Sequence, residues 1–162
     1  MNLPAYLKSL GYIEVPFTVT RVNHIVVHAR INGEDVVLIV DTGASRTCIA
    51  ESSAERLGLT LGRVENVAVS FALPKKTKAL SKLKTLDIGA LHLTDFETWL
   101  VDFSYINMIV QLKGEEFCDG VLGADILKRT SAVIDYRCCK IYLKGDSASL
   151  MTDDFQDPDM LV

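Results

Sequence analysis

Apolar residues fall along this chain in short blocks with strand-like periodicity, separated by turn residues, and long helical patterns are absent from it. The clearest block is V-N-H-I-V-V-H-A-R-I, followed by Asn32-Gly33 and then V-V-L-I-V. An Asn-Gly pair between two β-branched runs predicts a tight hairpin, because both central residues of such a turn need positive φ. A second β region runs from Val64 to Phe71, and a third covers T-L-D-I-G-A-L-H-L-T-D-F-E-T-W-L-V with its turn at Gly89-Ala90. The fourth is A-V-I-D-Y-R-C-C-K-I-Y-L, turning at Arg137-Cys138. Helical signals are brief. Ser52 or Ser53 is placed to cap A-E-R-L before Gly58, and A-D-I-L-K-R follows Gly123. Short, closely spaced strands with one or two short helices predict a mainly β sandwich or barrel in preference to an alternating α/β sheet.

Composition narrows the function classes. The 162 residues carry 17 Lys plus Arg against 21 Asp plus Glu, a formal charge of −4, with 49% hydrophobic positions. This predicts one soluble domain able to bury its own core. Mild acidity and 7% aromatic content argue against a nucleic-acid partner, which is usually held by phosphate neutralisation or base stacking. The longest apolar run, Val36 to Val40, is far short of the roughly 20 residues a membrane helix needs. Pro4, Lys8 and Gly11 interrupt the N-terminal segment, so no secretory signal is expected and the predicted location is cytoplasmic. Cys48, Cys118, Cys138 and Cys139 include no C-x-x-C pair and read as reduced thiols. His24 and His28 share strand parity but have no carboxylate or thiol at ligand spacing, so neither a metal nor any other cofactor is expected. The segment from Gly145 onward has five aspartates and no Lys or Arg. It reads as an acidic tail over 145–162, behind a domain over 1–144.

Candidate chemistry begins where the strand Val36 to Val40 stops, at Asp41-Thr42-Gly43-Ala44-Ser45. A carboxylate at a strand end, followed by a hydroxyl and a glycine that exposes its N–H, can be held rigidly and fed hydrogen bonds. D-T-G alone also suits an ordinary turn. The wider string I-V-D-T-G-A-S-R-T-C-I, with G-V-L-G-A-D-I-L some eighty residues later and K-R-T-S-A-V-I-D-Y…K-I-Y-L after it, is more specific. Together these resemble the retropepsin-like aspartic proteases, over roughly residues 10–144, and single-domain bacterial members in particular.

The resemblance implies a retropepsin-like closed β barrel working as a two-fold dimer, since the family's water-activating pair of aspartates needs a second Asp41 from another copy. Asp41 is then the catalytic residue of an aspartic endopeptidase acting on peptide or protein substrates. Thr42 locks the two loops across the axis, while Gly43 and Ser45 contact the substrate backbone. Val121, Leu122 and Gly123 pack under the active-site loop, and Arg46 pairs with Asp125. Ala44 stands where some relatives place a hydroxyl that donates to the carboxylate, which implies a less acidic optimum. By order, the flap that closes over substrate lies within V-A-V-S-F-A-L-P-K-K-T-K-A-L, whose lysines would favour acidic substrates. This stretch has none of the glycines usual at a flap tip. That gap is the support for an alternative, a non-proteolytic dimeric peptide-binding or scaffold module of the same fold. A third reading is a protease blocked by its own C-terminal segment. Sequence signatures of other hydrolases and of phosphate-binding loops, G-x-S-x-G, H-E-x-x-H and G-x-x-x-x-G-K, do not occur.

Overall fold

A computed structural model describes residues 2–60, 62, 64–67 and 76–145, with the backbone alone for 64–67 and 76–78. Strands β3 (Ile25–Ile31) and β4 (Glu34–Val40) form the expected hairpin, with Asn32 and Gly33 at φ 52 and 88. Asn32 does more than turn the chain. Its side chain donates to the Leu57 carbonyl at 2.8 Å and accepts from Lys84 N and Thr85 N, bolting the turn to a neighbouring strand. The third β region is the hairpin β7 (Lys76–Ile88) and β8 (Leu91–Val101), turning at Gly89 and Ala90 as expected.

Two short strands complete a ring. β4 pairs in parallel with β9 (Gly120–Leu122), β9 pairs antiparallel with β5 (Cys48–Ala50), and β5 pairs in parallel with β8. The circuit β3-β4-β9-β5-β8-β7 closes back on β3 through Arg30↔Asp87 and Ile31↔Leu86, giving a six-stranded barrel. β2 (Thr18–Val19) extends it beside β3, and β6 (Val64–Val67) extends it beside β7. A separate sheet places β11 (Lys140–Lys144) between β1 (Tyr12–Pro16) and β10 (Val133–Asp135).

Strand parity sorts the side chains into two layers. Val36, Leu38, Val40, Ile49, Leu100 and Leu122 point into the barrel and join its main core. The alternate residues Ile39, Cys48, Val101 and Val121 face outward and form a second apolar cluster, against which Val37, Ala44 and Ile106 pack.

Among the described residues three α-helices are present where the sequence pattern marks two. α1 (Leu3–Ser9) is capped by the Asn2 side chain, which accepts from Ala5 N at 3.0 Å. Pro4 sits in its first turn, a position proline tolerates, so it starts this helix and does not interrupt it. α2 (Ser104–Leu112) was not signalled, and α3 (Ala124–Arg129) is the expected A-D-I-L-K-R helix. The helix expected before Gly58 is only a 3₁₀ turn at Glu51–Ser53 followed by loose turns. The Ser53 hydroxyl does not cap backbone N–H groups; it donates to Asp119 at 2.7 Å. The Arg137-Cys138 turn is wider than expected, spanning 136–139, with Cys139 at φ 52. Among the described residues no helix is long and apolar enough to cross a membrane.

Candidate active site

The parallel pair β4 and β9 builds the site. Val40 lies opposite Leu122, so the loop leaving β4 emerges beside the turn leaving β9. Asp41 N donates to the Leu122 carbonyl at 3.0 Å, and Ala44 N closes the loop on the Asp41 carbonyl at 3.2 Å. Gly43 N donates to Asp41 Oδ1 at 2.9 Å, orienting the carboxylate. A Cβ on Gly43 would lie 3.3 Å from that same oxygen, close enough that the carboxylate would have to shift by a few tenths of an ångström. Asp41, Thr42, Gly43 and Ser45 are exposed in the single chain, while Ala44 is half-buried against the outer apolar cluster.

Beneath the loop, Gly123 is fixed by close approach. A Cβ there would sit 2.4 Å from Arg46 C and 2.6 Å from its carbonyl oxygen, so any side chain would displace backbone. Gly123 N donates to Thr47 Oγ1 at 3.0 Å, and Ala124 N donates to the Ala44 carbonyl at 2.7 Å. Val121 and Leu122 continue this support, the first in the outer cluster and the second in the barrel core. The structure thus gathers Asp41 to Ser45 and Val121 to Gly123 in one place.

The expected Arg46–Asp125 pairing is not what forms. Asp125 is buried in the first turn of α3 and faces Thr47, accepting its N–H at 2.9 Å on both oxygens and its hydroxyl at 2.8 Å. Arg46 points to solvent. A carboxylate turned inward onto backbone N–H and a buried hydroxyl is satisfied without a cation. Thr98 adds a 3.0 Å hydrogen bond to the Thr47 carbonyl.

Sequence reasoning also missed Asp119, just before β9. It is 5% exposed, accepts from Val37 N at 2.9 Å and from Ser53, and pairs with Arg56. Its own N–H donates to the Val37 carbonyl, and its carbonyl receives Ala50 N. The local signal was an acidic residue immediately before an apolar G-V-L-G string, which cannot be buried without partners.

For the flap, β6 and β7 pair antiparallel from Val64↔Ala79 to Val67↔Lys76, so a hairpin stem is present. The tip, with Leu73, Pro74 and Lys75, and the side chains of Lys76 and Lys78 lie outside the described residues, as does the chain from Asp146 onward. His24 and His28 are both exposed, and His28 Nε2 lies 3.6 Å from Glu116. Among the described residues no three His, Cys, Asp or Glu side chains converge as metal ligands. Cys118, Cys138 and Cys139 form no disulfide, and burial raises the Cys118 thiol to about 11.

A closed barrel with an Asp-Thr-Gly loop seated on an apolar-apolar-glycine turn defines a retropepsin-like aspartic protease domain. The chain belongs to the aspartyl protease family, whose model matches residues 27–126. It is 26% identical over 131 residues to DNA damage-inducible protein 1 of Yarrowia lipolytica, covering 81% of this chain and 30% of that protein's length. Similar solved structures include a retropepsin-like aspartic protease from Rickettsia conorii, with TM-score 0.54 and 21% identity, covering 82% of this chain and 90% of that one. The retroviral protease-like domain of Ddi1 from Leishmania major has TM-score 0.51 and 17% identity, covering 76% of this chain and 90% of that one. The EIAV protease in complex with the inhibitor HBY-793 has TM-score 0.51 and 17% identity, over 73% and 98% respectively. At these identities the structural likeness establishes the fold.

Proposed function

We propose that the chain is an aspartic endopeptidase whose active unit is a homodimer with Asp41 contributed by each copy, residues 1–144 forming the protease domain and 145–162 an acidic tail. The observation that carries this is an exposed Asp41, oriented by Gly43 N and rigidly backed by Gly123, in a chain with a single Asp-Thr-Gly. Half a carboxylate pair on a surface loop is completed most simply by a two-fold axis through that loop.

In this mechanism the two carboxyls share one proton, because like charges so close do not both ionise. The ionised Asp41 takes a proton from water as the water attacks the peptide carbonyl, and the protonated Asp41 of the partner polarises that carbonyl. Thr42 would tie the two loops together, and Gly43 and Ser45 would contact the substrate backbone. Val121, Leu122 and Gly123 hold the loop from below. No metal or other cofactor enters the reaction, the substrate is a peptide or protein, and the place of action is the cytoplasm. Ala44 offers the carboxylates no hydroxyl, so activity should peak above pH about 3, and a maximum at or below that value would refute this assignment.

The test is cleavage of a mixed peptide library across pH by the wild type and Asp41→Asn, with association state measured in the same buffers. Cleavage should fall by at least about a hundredfold in the variant while the dimer persists. A well-formed wild-type dimer that cleaves nothing at any pH would replace this reading with the peptide-binding module. Turnover that rises on truncation after Lys144 would identify the tail as a block.

A further inference from the structure

Cys48 and Cys118 are buried in the outer apolar cluster, whereas Cys138 and Cys139 stand next to each other and exposed in the turn that joins β10 to β11. That turn is held on both flanks. Cys138 N donates to Asp135 Oδ1 at 3.1 Å, Phe17 N donates to the Cys139 carbonyl at 3.0 Å, and the Tyr136 ring meets Phe17 edge-on with centroids 6.1 Å apart. Cys139 is at φ 52, a left-handed conformation that a residue with a side chain keeps only where its surroundings fix it. Both thiols reach back three positions along the chain, Cys138 to the Asp135 carboxylate and Cys139 to the Tyr136 carbonyl at 3.7 Å. Equal reach from adjacent positions brings both sulfurs over one fixed turn.

Two familiar uses of paired cysteines suit this turn poorly. Consecutive Cα atoms lie about 3.8 Å apart across a trans peptide, short of the roughly 4.4 Å at which disulfides begin, so direct closure would be strained. A divalent cation wants deprotonated thiolates and more than two ligands. Here the Asp135 carboxylate accepts a hydrogen bond from the Cys138 thiol and holds it above its ordinary 9.0, and among the described residues no three His, Cys, Asp or Glu side chains converge. The turn fits a different electrophile. It must be soft, be satisfied by two sulfurs, widen their spacing by sitting between them, and carry oxygen that removes each thiol proton. Trivalent arsenic meets all four conditions.

We propose that the Cys138–Cys139 turn is a binding site for trivalent arsenic, captured as a chelate by the two thiols. With arsenous acid, two As–S bonds form and two As–OH bonds break. Each thiol proton leaves with a hydroxyl as water, the third hydroxyl stays on arsenic, and nothing is oxidised or reduced. Holding both sulfurs on one turn makes the second bond intramolecular, so the pair binds more tightly than either thiol alone. Cys48 and Cys118 take no part, since each is buried with its thiol directed to a backbone carbonyl. The site shares no residue with the Asp41 loop, and capture does not depend on cleavage.

The test is titration of the full chain with phenylarsine oxide, in a buffer kept reducing by a phosphine and free of other thiols, read by intact mass and by counting free thiols. One arsenical should bind per chain, with two thiols consumed. Cys138→Ser and Cys139→Ser should each weaken binding at least tenfold, because only one As–S bond remains. The double variant should bind none while keeping its circular dichroism, and a small dithiol should strip the wild-type adduct where the same concentration of monothiol groups does not. An adduct that persists in the double variant, single variants that bind as tightly as wild type, or two arsenicals per chain overturns the proposal. So does stripping by the monothiol as readily as by the dithiol. Because the readout is bound arsenic, failure here is distinct from failure of the protease reading, which is decided by cleavage.

Discussion

The two ends of the β4–β9 pair are both secured by a buried carboxylate beside a closely approached glycine, yet among the described residues only the carboxylate at the far end pairs with a cation. At the end near Asp41, the fit depends on missing volume: Gly123 lies against the Arg46 backbone, and Asp125 receives only N–H and O–H groups, through Thr47 and Ile126. At the far end a Cβ on Gly120 would fall 2.3 Å from the Cys48 carbonyl oxygen, and Asp119 gathers Val37 N together with two side chains reaching in, the Ser53 hydroxyl and the Arg56 guanidinium. A clamp made of side chains can weaken by degrees. A close backbone approach either exists or is lost, and the one at Gly123 sits where the position of a reacting carboxylate matters to a fraction of an ångström.

This contrast can be broken at the near end first. Gly123→Ala should lower cleavage about a hundredfold, because the added Cβ forces the Arg46 backbone and the loop above it to move. Peptide turnover by the folded dimer measures this, and unchanged turnover would show that the approach is not a constraint. At the far end, Asp119→Ala should cost about 3 kcal/mol of stability, since Val37 N and Ser53 lose a buried acceptor and Arg56 its partner. Denaturant unfolding reads that loss, and turnover per folded molecule should change far less than in Gly123→Ala. A variant in which the two losses track each other would abolish the distinction.

The smallest effect belongs to the separate sheet. Glu14 is held below its ordinary 4.5 by hydrogen bonds from Lys140 and Lys8. Its contribution to stability is therefore present above about pH 4.5 and is lost as pH falls through the lowered value. Thermal melting of Glu14→Gln should show a shallower acid-side decline than wild type while leaving the response to Asp119→Ala intact. A parallel decline in both proteins would remove Glu14 from the acid sensitivity.

Local chemistry was the readable part of this molecule. The Asn32-Gly33 turn, the hairpin at Gly89 and Ala90, the Asp41 loop and the α3 start all rest on signals within a few residues of one another. The partners of the two buried carboxylates were not readable, because Thr47 and Asp125 are 78 positions apart and Ser53 and Asp119 are 66 apart. Opposite charge and the family resemblance favoured Arg46 over Thr47, whereas Gly123 approaches this backbone closely and Asp125 takes the Thr47 N–H and hydroxyl. The helix expected before Gly58 is likewise reduced to a 3₁₀ turn, and the Ser53 hydroxyl is directed to Asp119, an acceptor that no local signal announces. α2 escaped notice because apolar residues on both of its faces blur the helical period that marks a surface helix.

The order of strands around the barrel also dictates an order of events during synthesis. β9 lies at the middle of the circuit but near the end of the chain, wedged between β4 and β5, which are made some seventy residues earlier. Until residues 120–123 have left the ribosome, β4 has no neighbour on that side, and the Asp41 loop has nothing beneath it. The nascent N-terminal part is therefore a pair of hairpins with an open seam, and the last barrel strand to arrive assembles the candidate site as it closes the barrel.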